Sequence, residues 1–180
     1  MKYTDVFLYI LFIFFINYMQ PSFAMTTKAI NKKNNIVLAE QRTTYLTRFL
    51  FEACREGYPI EDIARCIAEG INVNVKNDRK VTPLHIACRY GHIHIIKFLL
   101  ANKANVNAAM DGSFTPLHAA ILAPCMILTH KVIIIRYLLN AGANPDAQTT
   151  PGDTALNLAY GLNNKAIIEL FPNQSSEDSY

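Results

Sequence analysis

Thr82-Pro83-Leu84-His85-Ile86-Ala87 returns 33 residues later as Thr115-Pro116-Leu117-His118-Ala119-Ala120. A degraded third copy, Thr154-Ala155-Leu156-Asn157-Leu158-Ala159, follows after a further 39. A period of this size marks supersecondary units laid side by side. The second half of each unit repeats as well. Ile95-Ile96-Lys97-Phe98-Leu99-Leu100 matches Ile134-Ile135-Arg136-Tyr137-Leu138-Leu139, and Ala104-Asn105-Val106-Asn107 matches Ala143-Asn144-Pro145-Asp146, both shifted by 39. Six extra residues therefore fall between the two halves of the third unit, at 124–129. Upstream, Phe51-Glu52-Ala53-Cys54-Arg55-Glu56-Gly57 echoes His85-Ile86-Ala87-Cys88-Arg89-Tyr90-Gly91, and Ile71-Asn72-Val73-Asn74 echoes Ala104-Asn105-Val106-Asn107. Four units result, beginning near Thr44, Thr82, Thr115 and Thr154.

The residue types in one unit predict a pair of helices. Thr82 and Thr115 suit a helix start, where a side-chain oxygen accepts an orphan backbone N–H. Pro83 and Pro116 then fall at the first helical position, where the missing N–H costs nothing. Leu84, Ala87 and Cys88 give the first helix a small-residue face, and Gly91 suits the turn behind it. Ile95, Ile96, Leu99 and Leu100 lay an apolar stripe on a second helix. The closing Ala-Asn-Val-Asn places Asn where a left-handed turn is expected. One such pair cannot bury its apolar face alone, whereas four stacked pairs share a core.

The period and the two Thr-Pro-Leu-His-x-Ala segments resemble the ankyrin family over about residues 44–172. The resemblance implies an all-α ankyrin-repeat solenoid of about four helix-turn-helix units with short β-hairpin or turn tips. It also implies that His85 and His118 are structural, bonding near their own helix start and to the neighbouring unit. The first and fourth units depart from the pattern, Ala155 and Asn157 replacing Pro and His in the latter, as terminal caps do. The apolar insert at 124–129 reads either as a packing feature or as part of a binding surface.

The resemblance implies a protein partner, bound through turn tips and the concave face of the first helices. Carried onto this chain, the tips are Asp78, Arg79 and Val81; Asp111, Gly112 and Phe114; and Thr150, Pro151 and Asp153. The helix positions are Arg55, Glu56, Arg89, Tyr90, Leu122 and Ala123. Arg89, Tyr90 and Phe114 lead, since arginine and aromatic side chains dominate interface energetics. Phe114 has the alternative of folding back on its own hairpin.

Composition agrees with a folded interaction domain. Of 180 residues, 51% are hydrophobic and 17% charged, with a net charge of +3. No dense Lys/Arg run supports nucleic-acid binding; Lys28, Lys32 and Lys33 are spaced by neutral residues. Residues 1–24 read as a signal peptide: Lys2, an apolar run from Val6 to Ile16, Pro21, then Ser22-Phe23-Ala24 with the small residues Ser22 and Ala24 just before a cut after Ala24. The run falls short of the ~20 apolar residues of a membrane span. The expected organisation is a signal peptide at 1–24, a lead-in at 25–43, repeats at 44–81, 82–114, 115–153 and 154–172, and a polar tail at 173–180. The resemblance, joined to an export signal, implies either a secreted effector that engages host proteins or a protective or structural protein kept in the periplasm.

Chemistry of a catalytic kind is not expected. His92 and His94 lie about 200° apart on a helix, a poor metal pair, and no nucleophile, phosphate-loop or metalloprotease motif occurs. Glu61 and Asp62 suit a helix's first turn. Cys54 and Cys88 hold equivalent positions in adjacent units. Packed helices put such Cα atoms about 8–10 Å apart, beyond the roughly 7 Å a disulfide spans, so both are expected reduced. Cys66 sits on a second helix, and Cys125 in the insert is the candidate for exposure. No cofactor, metal, small-molecule substrate or membrane span is expected, and the chain is expected to be monomeric.

Overall fold

The computed structural model describes residues 36–124 and 126–171; the expected signal segment, Cys125 and the polar tail lie outside them. The chain forms two compact bodies, the first ending at Tyr45 and the second starting at Leu46. Residues 36–45 of the first are helical and exposed. The second carries four helix pairs: α1 (residues 46–56) with α2 (Ile60–Ala68), α3 (Pro83–Tyr90) with α4 (Ile93–Ala101), α5 (Pro116–Ile121) with α6 (Leu128–Asn140), and α7 (Ala155–Gly161) with α8 (Lys165–Ile168). Thr82, Thr115 and Thr154 each immediately precede an inner helix. No strand occurs among the described residues. The tips are turns, each closed by a backbone bond across its ends, from Asn77 N to Val81 O, Met110 N to Phe114 O and Thr149 N to Asp153 O, at 2.9–3.1 Å.

Inner helices stack on inner helices, α3 on α5 and α5 on α7, and outer on outer, α4 on α6 and α6 on α8. The same slots are buried in successive repeats. Ala53, Ala87, Ala120 and Ala159 are fully buried, and so are Ile95, Ile96 and Leu99 with Ile134, Ile135 and Leu138. A methyl at the first set lets neighbouring inner helices approach; the branched chains of the second fill the space behind them. Cys54 and Cys88 are buried free thiols in one further slot, and Ile121 fills it in the third repeat. Burial pushes the Cys54 thiol up to about 12 and raises Cys88 further, so neither is a reactive thiolate. Tyr160 holds this slot in the fourth repeat and is exposed, as suits a terminal repeat.

Polar side chains lock one repeat to the next. The Thr82 N–H donates to His85 Nδ1 at 3.3 Å, and the Thr82 hydroxyl lies 2.8 Å from the same nitrogen. That leaves the ring proton on Nε2, which donates to the Phe114 carbonyl of the following tip at 3.1 Å. Thr115 and His118 repeat the first half of this arrangement at 3.1 and 2.9 Å. His118 Nε2, however, is buried with no hydrogen-bond partner among the described residues. Asparagines supply a second lock. Asn74 Oδ1 accepts from Asn105 N and its Nδ2 donates to Lys103 O. Asn107 does the same to Asn144 N and Gly142 O. Asn72, Asn105 and Asn144 meanwhile each accept from a backbone N–H two residues on. The Asn-x-Asn segments are therefore clamps. The left-handed residue expected among them lies one step earlier, before the Ala-Asn or Ile-Asn pair: Gly70 (φ +92°), Lys103 (+65°) and Gly142 (+87°).

The insert does not bulge as a loop of six. Leu128 and Thr129 start α6, which runs 13 residues where α4 runs 9. Met126 folds down over Gly91, where a Cβ would meet its side chain at 3.1 Å. In the second repeat the inner helix ends on Gly91 in the left-handed conformation. In the third, Leu122 ends it with φ −81°. There the Lys131 ammonium donates to the Ile121 and Ala123 carbonyls, both at 2.9 Å, so a cation binds the negative end of the helix.

Three outcomes follow from these interactions. Lys103 pays the Cβ penalty of a left-handed backbone that Gly70 and Gly142 avoid; Lys103→Gly raises stability by about 0.5–1 kcal/mol, read as a rise of a few degrees in Tm. Lys131→Met leaves the α5 carbonyls unbound and costs roughly 1 kcal/mol in urea unfolding. Burial, partly offset by nearby carbonyls, holds both His85 and His118 below the ordinary histidine range. The unfolded chain then takes up protons first, so stability is full above about pH 6.5 and falls as pH drops below it. Unfolding at pH 5 occurs at lower urea than at pH 7.5, and His118→Asn, the residue type the fourth repeat uses there, narrows the difference.

Candidate partner-binding face

Motif positions are consumed by packing, which leaves the positions between them to face outward. On the inner helices the slot after each signature His or its equivalent holds Glu52, Ile86, Ala119 and Leu158. Three residues further, on the same helical face, stand Arg55, Arg89, Leu122 and Gly161. The second set is exposed in all four repeats, and the first is exposed or half-buried. Between α1 and α3 this face sinks into an open groove of about 350 Å³, lined by Arg48, Phe51, Glu52 and Arg55, by Ile86, and by Asn77 from the first tip. Phe51 and Ile86 are half-buried and apolar; the charged lining groups are exposed.

The charges on this face are only loosely tied. Arg55 Nε donates to Glu56 Oε1 at 2.7 Å, with both side chains about half exposed. Arg48 and Arg89 make no ion pair among the described residues. Exposed pairs of this kind add little to stability, so the groups remain available to a partner.

The tips form a second, connected row. Asp111 N donates to Arg79 O at 3.1 Å and Thr150 N to Gly112 O at 2.8 Å, stitching each tip to the one before. Lys80 Nζ lies 3.6 Å from Asp111 Oδ1 across the first joint. Lys80, Ser113 and Gly152 take the left-handed conformation at the same step of each tip (φ +57°, +61° and +98°). The tip geometry is thus set by the backbone and tolerates different side chains.

The expected contact residues separate on this frame. Asp78, Arg79, Asp111, Gly112, Thr150 and Pro151 are exposed along the tip row, and Arg89, Tyr90 and Leu122 are exposed at the ends of inner helices. Arg55 and Glu56 are exposed beside the groove. Val81, Phe114 and Asp153 are half-buried and close their hairpins through their carbonyls. The Phe114 ring stands edge-on to His118 at 5.9 Å, so it has folded back on the repeat. Ala123 is 2% exposed and is not a surface position; the shortened α5 turns it inward. Of the groove's lining residues only Arg55 is among the expected contacts; Arg48, Phe51, Glu52, Asn77 and Ile86 are not. Ile86 and Ala119 occupy the free slot of the signature, a signal that was present. Arg48 precedes any recognisable motif, and only the fold brings it to the groove.

His92 Nε2 lies 2.9 Å from the Arg55 carbonyl and its ring covers Gly57, where a Cβ would come within 2.5 Å. That gives His92 a packing role at the joint between the first two repeats. Among the described residues no three His, Cys, Asp or Glu side chains are grouped to hold a metal. None of the described helices is long and apolar enough to cross a membrane.

Comparison with protein-family models supplies the remaining observation. The model for ankyrin repeats in three copies matches residues 50–131, and that for a single ankyrin repeat matches residues 113–150, so the two together span 50–150. Stacked Thr-capped helix pairs, stitched turn tips and these matches agree: the chain belongs to the ankyrin-repeat family, whose fold is a protein–protein interaction module.

Proposed function

We propose that this protein is exported and binds a protein partner through its exposed inner-helix positions and turn tips. The observation that carries the binding face is the division of labour along the repeat. The signature positions are buried or hydrogen-bonded, while Arg89, Tyr90 and Leu122 in between are exposed. Tyr90 is 50% exposed and Leu122 37%; neither is needed to close the core, and both offer area that a partner can desolvate. Export is supported by the charge, apolar run and small-residue site of residues 1–24. A secreted protein acting on host proteins is the reading we favour; retention in the periplasm is the outcome that fractionation would reveal.

Affinity capture by the processed chain, with mass spectrometry of what is retained, tests the binding face. The comparison bait is Arg79→Ser/Tyr90→Ala/Leu122→Ser, all at exposed positions, with an unchanged melting curve as the control for folding. Partners specific to the unaltered chain are lost by this variant. Equal recovery by both baits removes the proposed face. Expression of the full chain, followed by mass measurement of the mature protein, checks a cut after Ala24.

A further inference from the structure

We propose that the inner-helix face takes a linear partner segment that is acidic at the end lying on the first two repeats and apolar at the end lying on the third and fourth. This rests on the partner-binding reading above and specifies the chemistry of the segment.

The face changes character along its length. Its exposed inner-helix positions run Arg55, Arg89, Leu122 and Gly161, and the flanking ones run Glu52, Ile86, Ala119 and Leu158. The charges therefore end at the second repeat. Around the groove of the first two repeats, the three guanidiniums of Arg48, Arg55 and Arg89 meet the two carboxylates of Glu52 and Glu56. Arg55 is already held by Glu56. Arg48 and Arg89 have no ionic partner among the described residues, and they make the excess positive.

Arg48 and Arg55 are seven residues apart on α1, two turns or about 10 Å along its axis and on one face. Both line the groove, with Phe51 and Ile86 supplying apolar surface beside them. A carboxylate entering there meets fork-shaped donors next to apolar walls that displace water, which strengthens the attraction. A lysine in the same place would meet the uncompensated guanidiniums. Past Arg89 the logic reverses. Ala119, Leu122 and Leu158 offer no hydrogen bond from their side chains, and a charge laid on them would be desolvated without a partner.

Spacing adds a register. Packed helices lie 8–10 Å apart, and an extended chain rises about 3.3 Å per residue. Every third residue of an extended segment therefore meets the next repeat. The segment that fits carries acids three residues apart and then apolar residues at the same interval.

The test uses fluorescein-labelled decapeptides and the processed chain, read by fluorescence anisotropy. One peptide has glutamates at its first and fourth positions and leucines at its seventh and tenth, with glycine and serine between. A second has lysines in place of the glutamates. The glutamate peptide should bind at least about tenfold more tightly than the lysine peptide, a gap that narrows between ~20 and ~150 mM salt. Arg48→Glu/Arg89→Glu should abolish or invert the preference while leaving the melting curve unchanged. Leu122→Ser should weaken both peptides and leave their ratio alone. Equal binding of the two peptides, no binding up to roughly millimolar concentration, or a preference that survives the double reversal would overturn the proposal. A captured partner separates this failure from that of the wider reading. If Arg48→Glu/Arg89→Glu retains the partner and Arg79→Ser/Tyr90→Ala/Leu122→Ser loses it, the acidic segment is wrong and the binding face stands. If both variants retain it, the face itself is wrong.

Discussion

Each helix pair here is too thin to bury its own apolar side, and every other feature follows from that. Ala53, Ala87, Ala120 and Ala159 are fully buried because a neighbouring inner helix lies against them. A larger residue at any of these slots would force two repeats apart and expose the isoleucine and leucine stripes behind them. The core is therefore a seam shared among repeats. Its stability belongs to the joints as much as to the repeats themselves.

The joints are also where the polar signature residues act. His85 ties its own helix start to the next tip, and Asn74 and Asn107 tie one loop to the next by two bonds each. Such bonds are directional, so they fix how far each repeat turns on its neighbour, which a greasy seam alone would leave loose. The joint between the third and fourth repeats differs. The Asn107 clamp ties the second repeat to the third; Asp146 holds its place in the third repeat and makes no such clamp among the described residues, and His118 Nε2 has no hydrogen-bond partner there where His85 finds the Phe114 carbonyl. The last repeat is thus joined by fewer bonds, and it also exposes Tyr160 in a slot buried elsewhere.

Because the seam and its locks occupy fixed slots, the remaining positions are released for recognition. The insert illustrates the same tolerance. It lengthens α6, removes the glycine turn and recruits Lys131 as a replacement cap, while Ile134, Ile135 and Leu138 keep their buried places. It also leaves Ile127 67% exposed and Leu128 45% exposed, five and six residues after Leu122. The insert therefore occurs in the repeat where the partner face turns from charged to apolar.

The repeat, its helices and its buried slots were legible in the sequence, since periodic Thr-Pro-Leu-His and Ile-Ile-x-x-Leu-Leu segments encode local propensity and burial together. The structural role of His85 was legible for the same reason. The partner face was only partly so. Exposure at Arg89, Tyr90 and Leu122 followed from lying between signature residues, but the inward turn of Ala123 did not, and for Phe114 folding back stood only as the alternative until its ring was placed on His118. Those depend on where α5 ends and what packs beside it, which a shortened helix and an inserted stretch alter without changing the repeat pattern. The meeting of Arg48 with Ile86 and Asn77 in one groove was likewise decided by stacking. Sequence fixes what each repeat must bury; only the packing of successive repeats decides which of the leftover side chains share a surface.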